Sequence, residues 1–423
     1  MGMRIAMIGW ELPPYASGGL GVHCSELTRA LAGLGVQIDF FMPRTSGGVS
    51  CDWMTLVQVE GARIPSRFLP YMDFREEYVA PGDLLEENYG QNFFESVDKY
   101  TRLAALLVAE RHAVKPYSLV HCHDWMTVRA GIEVKRLTGL PLCFTVHSTE
   151  FDRTADLWPM QWIADVEREG MHAADVVVTV SERMRQQLVQ RFGVPNEKIR
   201  VVPNAVDARK FTAPRAAKKK RFWWKKIVLY HGRLSVQKGP DYFLRAAKRV
   251  AESHPDTLFV VSGKGGMLPT LVDLAIDLGI QNRVLFLGYL PEAKLPAVYA
   301  ASDVYVLPSV SEPFGITALE AMASGKPVIV SKSSGVGEFV KNVFRADFWD
   351  VDKMAAQISE ILVDEELRDS LGKGAKAEAQ SFSWRSVAEK TLGVYDSVAG
   401  AKNSVAQSAN AGVGENVVVG SGV

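Results

Sequence analysis

Four cysteines, Cys24, Cys51, Cys122 and Cys143, are all that the 423 residues contain. They stand far apart, without the paired spacing of a zinc ribbon or a disulfide framework, so the chain reads as a protein of a reducing compartment. Net charge is missing as well. Forty-eight Lys plus Arg face forty-eight Asp plus Glu, so no global field draws the chain to nucleic acid or to an anionic membrane, and any anion site must be local. No apolar stretch reaches the ~20 residues that span a bilayer. Met1 to Gly9 reads as a strand, with no basic leader or cleavage site. The expectation is a cytoplasmic protein without a nucleic-acid partner. Repeats at a solenoid period are also lacking.

What is present is an alternation of short aliphatic runs with helical patterns, the signature of parallel sheets covered by helices, an α/β class. In the first half, strands are predicted at Arg4 to Ile8, Val36 to Phe41, Thr55 to Val59, Ser118 to Cys122, Leu142 to Val146, Val176 to Val180 and Ile199 to Val202. In the second they fall at Ile227 to His231, Leu258 to Ser262, Val284 to Leu287, Val304 to Leu307 and Pro327 to Val330. A chain of this length exceeds one core, so two domains are expected: residues 1–208 and 227–380, joined by a basic and aromatic linker at 209–226. A helix over 381–398, with Trp384, Ala388, Leu392 and Tyr395 on one face, follows. The Gly, Ser, Ala, Asn and Val composition of 399–423 predicts a disordered tail.

Two segments of the second half suit phosphate. In His231-Gly232-Arg233-Leu234-Ser235-Val236-Gln237-Lys238-Gly239, Arg233 and Lys238 stand at a strand exit, where open α/β sheets bind ligands. In Glu312-Pro313-Phe314-Gly315-Ile316-Thr317-Ala318-Leu319-Glu320, Gly315, Ile316 and Thr317 open a helix whose unpaired N–H groups favour an anion. Glu312 and Glu320 flank that start and can accept from hydroxyls. Lys264 leaves a further strand within a glycine turn, as a phosphate contact or as loop decoration.

In the first half, Ser17-Gly18-Gly19-Leu20-Gly21 follows the first strand and opens a helix marked by Leu20, Cys24, Leu27, Leu31 and Leu34. Its glycines allow close backbone approach to a ligand, short of a full dinucleotide fingerprint. His121-Cys122-His123-Asp124-Trp125 ends another strand. A metal reading of its histidines fails on spacing and on the lack of a second ligand pair nearby, so no metal site is assigned. Asp124 there and His147 after Val146 are candidates for sugar hydroxyls. Lys218-Lys219-Lys220-Arg221-Phe222-Trp223-Trp224-Lys225-Lys226 reads as a solvated linker, a glycan groove or a membrane-surface contact.

From about Met3 to Tyr395 the chain resembles the retaining glycosyltransferases of family four and their glycogen and starch synthase relatives. The most specific parts are Gly232-Arg233 through Lys238-Gly239 and the Glu312 to Glu320 motif. The resemblance implies the GT-B fold: two Rossmann-like domains facing across a cleft, with the last helix crossing back to the first. It implies a nucleotide diphosphate sugar as co-substrate, no further cofactor, no metal, and a glycan or small sugar as acceptor. By the same resemblance, Arg233 and Lys238 hold the donor diphosphate, Glu312 the transferred sugar and Glu320 the ribose. Gly18 and Gly19 approach the phosphates from the opposite domain, His147 and Asp124 bind sugar hydroxyls, and Tyr289 flanks the base. Two departures stand out. Ala16 occupies the lysine position of the synthases' Lys-x-Gly-Gly, and Ser333 to Glu338 keeps only part of the usual Gly-Gly pattern. A sugar-nucleotide epimerase of the same fold and a non-catalytic glycan-binding module remain as alternatives. Acceptor choice is expected to depend on loops such as Ile64 to Asn92.

Overall fold

The computed structural model describes residues 2–13, 18–44, 51–63, 92–212 and 226–411. Of the loop from Ile64 to Asn92 only Asn92 falls within them, and of the run from Lys218 only Lys226 does.

The first sheet contains β1 (Arg4–Ile8), β2 (Gln37–Arg44), β3 (Thr55–Arg63), β4 (Leu119–His123), β5 (Leu142–Val146), β6 (Val176–Thr179) and β7 (Ile199–Val201), in the order β3-β2-β1-β4-β5-β6-β7. The second contains β8 (Lys226–His231), β9 (Thr257–Ser262), β10 (Val284–Gly288), β11 (Val304–Leu307), β12 (Val328–Ser331) and β13 (Phe344–Ala346), in the order β10-β9-β8-β11-β12-β13. Every ladder is parallel. Helices cover both faces of such sheets, and accordingly β4, β5, β6, β9, β11 and β12 are buried along their whole length. β13 went unpredicted because Phe344-Arg345-Ala346 is too short and mixed to show a strand pattern.

Both orders reverse direction once: between β1 and β4 in the first sheet, between β8 and β11 in the second. Chains leaving two adjacent strands there turn to opposite faces and leave a crevice beyond the carboxyl ends. The glycine loop and Asp124 follow β1 and β4. The Arg233–Lys238 and Glu312–Glu320 segments follow β8 and β11. The sequence motifs therefore sit at the two switch points.

Helix α1 (Gly19–Gly33) buries Leu20, Cys24, Leu27 and Leu31. These side chains share a core with Ile5, Met7 and Ile38 and with Trp384, Val387, Ala388, Val394 and Tyr395 from the last helix. That helix runs from Trp384 to Ala411, so the expectation of disorder from 399 is corrected for 399–411. Ala401, Ala406, Ala409 and Ala411 favour helix by propensity, a signal that apolar periodicity does not carry. The remaining helices are α2 (Asn92–Val114), α3 (Trp125–Thr138), α4 (Glu150–Arg153), α5 (Gln161–Ala173), α6 (Glu182–Phe192), α7 (Pro240–Ser253), α8 (Leu268–Asp277), α9 (Leu295–Ala301), α10 (Ile316–Ala323), α11 (Val351–Val363) and α12 (Glu365–Ala379).

The two halves touch. The Glu338 carboxylate accepts the backbone N–H groups of Glu182 and Arg183 at 2.8 Å each, which places an anion on the positive end of α6. Ser311 Oγ donates to Asp152 Oδ1 at 2.7 Å in a buried contact. Lys210 pairs with Glu26 and Glu292.

Candidate active site

After β8 the chain makes a 3-10 turn over Val236–Lys238 and reaches Gly239 in the left-handed region at φ 61°. A side chain on Gly239 would place its Cβ 2.4 Å from Pro308 O, so only glycine lets this turn lie against the β11 loop. That approach brings Lys238 Nζ to 2.7 Å from Glu312 Oε2, the same oxygen that accepts from Ser309 Oγ at 3.1 Å. Burial lowers the Lys238 pKa; the Glu312 charge opposes this and Arg233 adds to it. Arg233 Nη2 donates to Gln237 Oε1 at 3.1 Å, and Gln237 O accepts from the N–H groups of Val310 and Ser311. The Arg233–Lys238 segment is thus laced to the β11 loop through Gln237, a residue that no sequence signal singles out.

Gly315, at φ 112°, opens α10, and the first N–H groups of that helix have no partner within it. Thr317 is held from below: the Tyr305 hydroxyl lies 2.8 Å from Thr317 Oγ1 and 3.0 Å from His231 O, tying the β8 exit to the helix start. Glu320 is buried and accepts from the Tyr299 hydroxyl at 2.8 Å. Burial raises its pKa to about 7 against the effect of that hydrogen bond. At the outer end of the crevice, Lys264 Nζ stands 5.3 Å from the centre of the Tyr289 ring, a cation–π contact.

On the facing side, nothing among the described residues lies within 4 Å of a Cβ built on Gly18, and one on Gly19 would stand 3.5 Å from Ile316 Cδ1 of the second domain. The glycine loop therefore looks across at the start of α10. The Gly21 N–H, in the first turn of α1, donates to the buried Glu11 carboxylate at 3.1 Å.

Asp124 stands directly beyond β4. It is fully buried, and its Oδ1 accepts the His147 backbone N–H at 2.7 Å. Its backbone is at φ 58°, ψ 173°, a region nearly restricted to glycine and costing about 1–3 kcal/mol. Asp124 Oδ1 thus holds the β5 exit in place. The Asp152 to Ser311 bond then joins this exit, five residues after His147, to the residue before Glu312. Asp152 is itself fixed by a capping box with Thr149. Beneath α4 a buried triad sets Arg153 between Glu150 at 3.0 Å and Glu167 at 2.5 Å. With two carboxyls to one guanidinium, burial pushes the Glu167 pKa up to about 7.

Contrary to the expectation from spacing, His123 does have further imidazoles beside it. His23 from α1 and His147 join His123, with one ring nitrogen of each within 4.8 Å of the others. Sequence spacing hides this convergence, because the three residues come from separate elements. The facing nitrogens His123 Nδ1 and His147 Nε2 are not a pair that shares an ion. His123 Nδ1 and His147 Nε2 are 3.1 Å apart, the ring centres 5.4 Å apart and the planes 18° from parallel. Two imidazoles with this centre separation cannot bring their nitrogens closer, so both nitrogens lie on the line of centres. Their lone-pair axes point at each other, as in an N–H···N bond, and not at a common third point.

Known proteins share this organisation. Residues 17–210 match the family model for Glycosyltransferase Family 4, and residues 215–378 match that for Glycosyl transferases group 1. An uncharacterized glycosyltransferase of Methanocaldococcus jannaschii is 31% identical over 408 residues, covering 93% of this chain and 98% of that one. The chain is a family-four glycosyltransferase. Glycogen synthase of Mycobacterium tuberculosis is 30% identical, with 93% of this glycosyltransferase and 94% of that protein covered. The sucrose-phosphate synthase structure from Thermosynechococcus elongatus superimposes with a TM-score of 0.77 at 22% identity, over 94% of this chain and all of that one. This likeness gives the fold, GT-B. Among the described residues no helix is long and apolar enough to cross a membrane.

Proposed function

We propose that this glycosyltransferase is a metal-independent, retaining hexosyltransferase that moves glucose from a nucleotide diphosphate sugar to an α-glucan or a small sugar acceptor. The observation that carries the reading is the buried Lys238–Glu312 pair at the second switch point, with the α10 start beside it and the glycine loop opposite. A cation for the leaving diphosphate and a carboxylate for the sugar are already in register. The likeness to a glycogen synthase over nearly the whole chain supports glucose and a glucan acceptor.

In this reading Arg233, Lys238 and the α10 N–H groups neutralise the diphosphate, supplying charge that a divalent metal supplies elsewhere. Gly18 and Gly19 close over the phosphates from the other side. Glu320 accepts from the ribose hydroxyls, Tyr289 and Lys264 flank the nucleotide, and Glu312 and His147 orient the sugar. The bond from the anomeric carbon to the diphosphate breaks as the acceptor oxygen bonds to the same face, and the acceptor proton passes to the departing phosphate. No side-chain base beside a nucleophile is needed; positioning and electrostatics carry the rate.

The test is release of nucleoside diphosphate from UDP-, ADP- and GDP-glucose, with and without glycogen or maltooligosaccharides, and with the anomeric configuration of the product read by NMR. Acceptor-dependent release from one donor with retention is expected. Donor conversion without acceptor would instead identify an epimerase. Glycan binding with no donor binding would identify a binding module.

A further inference from the structure

Beneath His147 lies a stack of buried imidazoles that the transfer chemistry does not use. His121 Nδ1 meets the Tyr395 hydroxyl of the crossing helix at 2.7 Å, and its Nε2 meets Thr145 Oγ1 at 2.7 Å. The His121 and His123 ring centres are 4.2 Å apart. His123 then points its Nδ1 at His147 Nε2, while its own Nε2 is buried without a hydrogen-bond partner among the described residues. Burial keeps all these rings neutral at pH 7, with His121 and His147 lowered to about 3.

A neutral imidazole carries one N–H, so a bond between His123 and His147 fixes both tautomers. If His147 donated, the His123 proton would sit on Nε2 as a buried, orphaned N–H, the rarer and costlier kind of unpaired group. If His123 donates, the orphan is a bare lone pair, and the His147 proton sits on Nδ1. The second arrangement wins.

We infer that His123 is a positioning residue whose Nδ1–H locks His147 in the Nδ1–H tautomer, so that the nitrogen left for the donor sugar is a hydrogen-bond donor. His147 then recognises a sugar oxygen through that oxygen's lone pair and discriminates against a sugar lacking it. This rests on the reading of His147 as a sugar contact. Without His123, imidazole reverts toward a mixture of tautomers, part of which presents a lone pair where a donor is required.

Long-range proton–nitrogen NMR of the full-length protein reads the tautomer directly. The native protein is expected to show His147 protonated on Nδ1. Replacing His123 with Asn keeps an amide N–H near the Nδ1 position and should retain both the tautomer and the activity. The His123→Phe variant keeps the ring volume without the donor; it should show a mixed tautomer and about tenfold lower kcat/KM, the scale of one neutral hydrogen bond. An Nε2-protonated His147 in the native protein, or an unchanged tautomer in His123→Phe, overturns the proposal. A tautomer that changes as expected while transfer and the response of His147 to nucleotide sugar stay unaltered removes His147 from the sugar site; that outcome overturns the underlying reading and not the hydrogen bond.

Discussion

Replacing Lys238 with Ala should separate the stability and the turnover that depend on one ion pair. Lys238 and Glu312 are 17% and 7% exposed and 2.7 Å apart. Removing the cation strands a buried carboxylate, which typically costs 3–5 kcal/mol, or about 3 kcal/mol here, where Ser309 still donates to the same oxygen. Catalysis loses one of two preorganised cations on the leaving group, a change worth roughly 10²–10³ in kcat. Adding Glu312→Gln removes the stranded charge. The double variant should therefore recover most of the lost stability and none of the turnover, a coupling that independent sites would not show. Nucleoside diphosphate release at saturating donor measures the turnover and urea unfolding midpoints the stability. Turnover within threefold of native in folded Lys238→Ala would refute the assignment of the leaving-group cation. A double variant no more stable than the single would refute the stranded-charge argument.

Glu320 must be ionised to accept from two ribose hydroxyls, and its pKa stands at about 7; the donor KM should fall as pH rises from 6 to 8, and Glu320→Gln should flatten that profile. Four buried imidazoles, His23, His121, His123 and His147, resist protonation in the fold. Between pH 6.5 and 4.5 the unfolded chain takes up protons there that the native state refuses, partly offset by Glu167 and Glu320, which the fold protonates first. Below 4.5 the unfolded carboxyls protonate too and the offset ends, so stability should decline gently to pH 4.5 and steeply below it. Urea midpoints against pH check the break, and a flat profile to pH 4 would contradict the burial argument. Ser311→Ala should raise KM about three- to tenfold and also lower the unfolding midpoint, because it removes a buried cross-domain hydrogen bond to a charged group; steady-state kinetics alongside melting, at temperatures where the variant is folded, would expose a merely destabilising change.

The strands and the phosphate-directed motifs were legible because their signals are local. Leu142 to Val146 and Val304 to Leu307 carry the continuous apolar runs of buried parallel strands, and Lys238-Gly239 and Gly315 mark turns that only their own residues can make. The supporting contacts were not. Tyr299 reaches Glu320 and Tyr305 reaches His231 across tens of residues, and a tyrosine in an apolar run looks like any core residue. Asp124 shows the limit from the other direction: its place beyond a strand end was read correctly, but only the structure shows its carboxylate accepting the His147 N–H. His23, His123 and His147 lie on α1, β4 and the β5 exit, so no spacing rule could have joined them.

The crossing of the last helix has a consequence for how the protein is made. Ile5, Met7, Leu20 and Leu27 belong to the same core as Trp384, Ala388 and Tyr395, so residues made early wait for residues made far later. Domains generally fold as units in the order of synthesis, yet here the first sheet keeps part of its apolar face uncovered until the helix from Trp384 has been made. A nascent chain halted before Trp384 would present that face to chaperones, and a late frameshift would damage the domain encoded first.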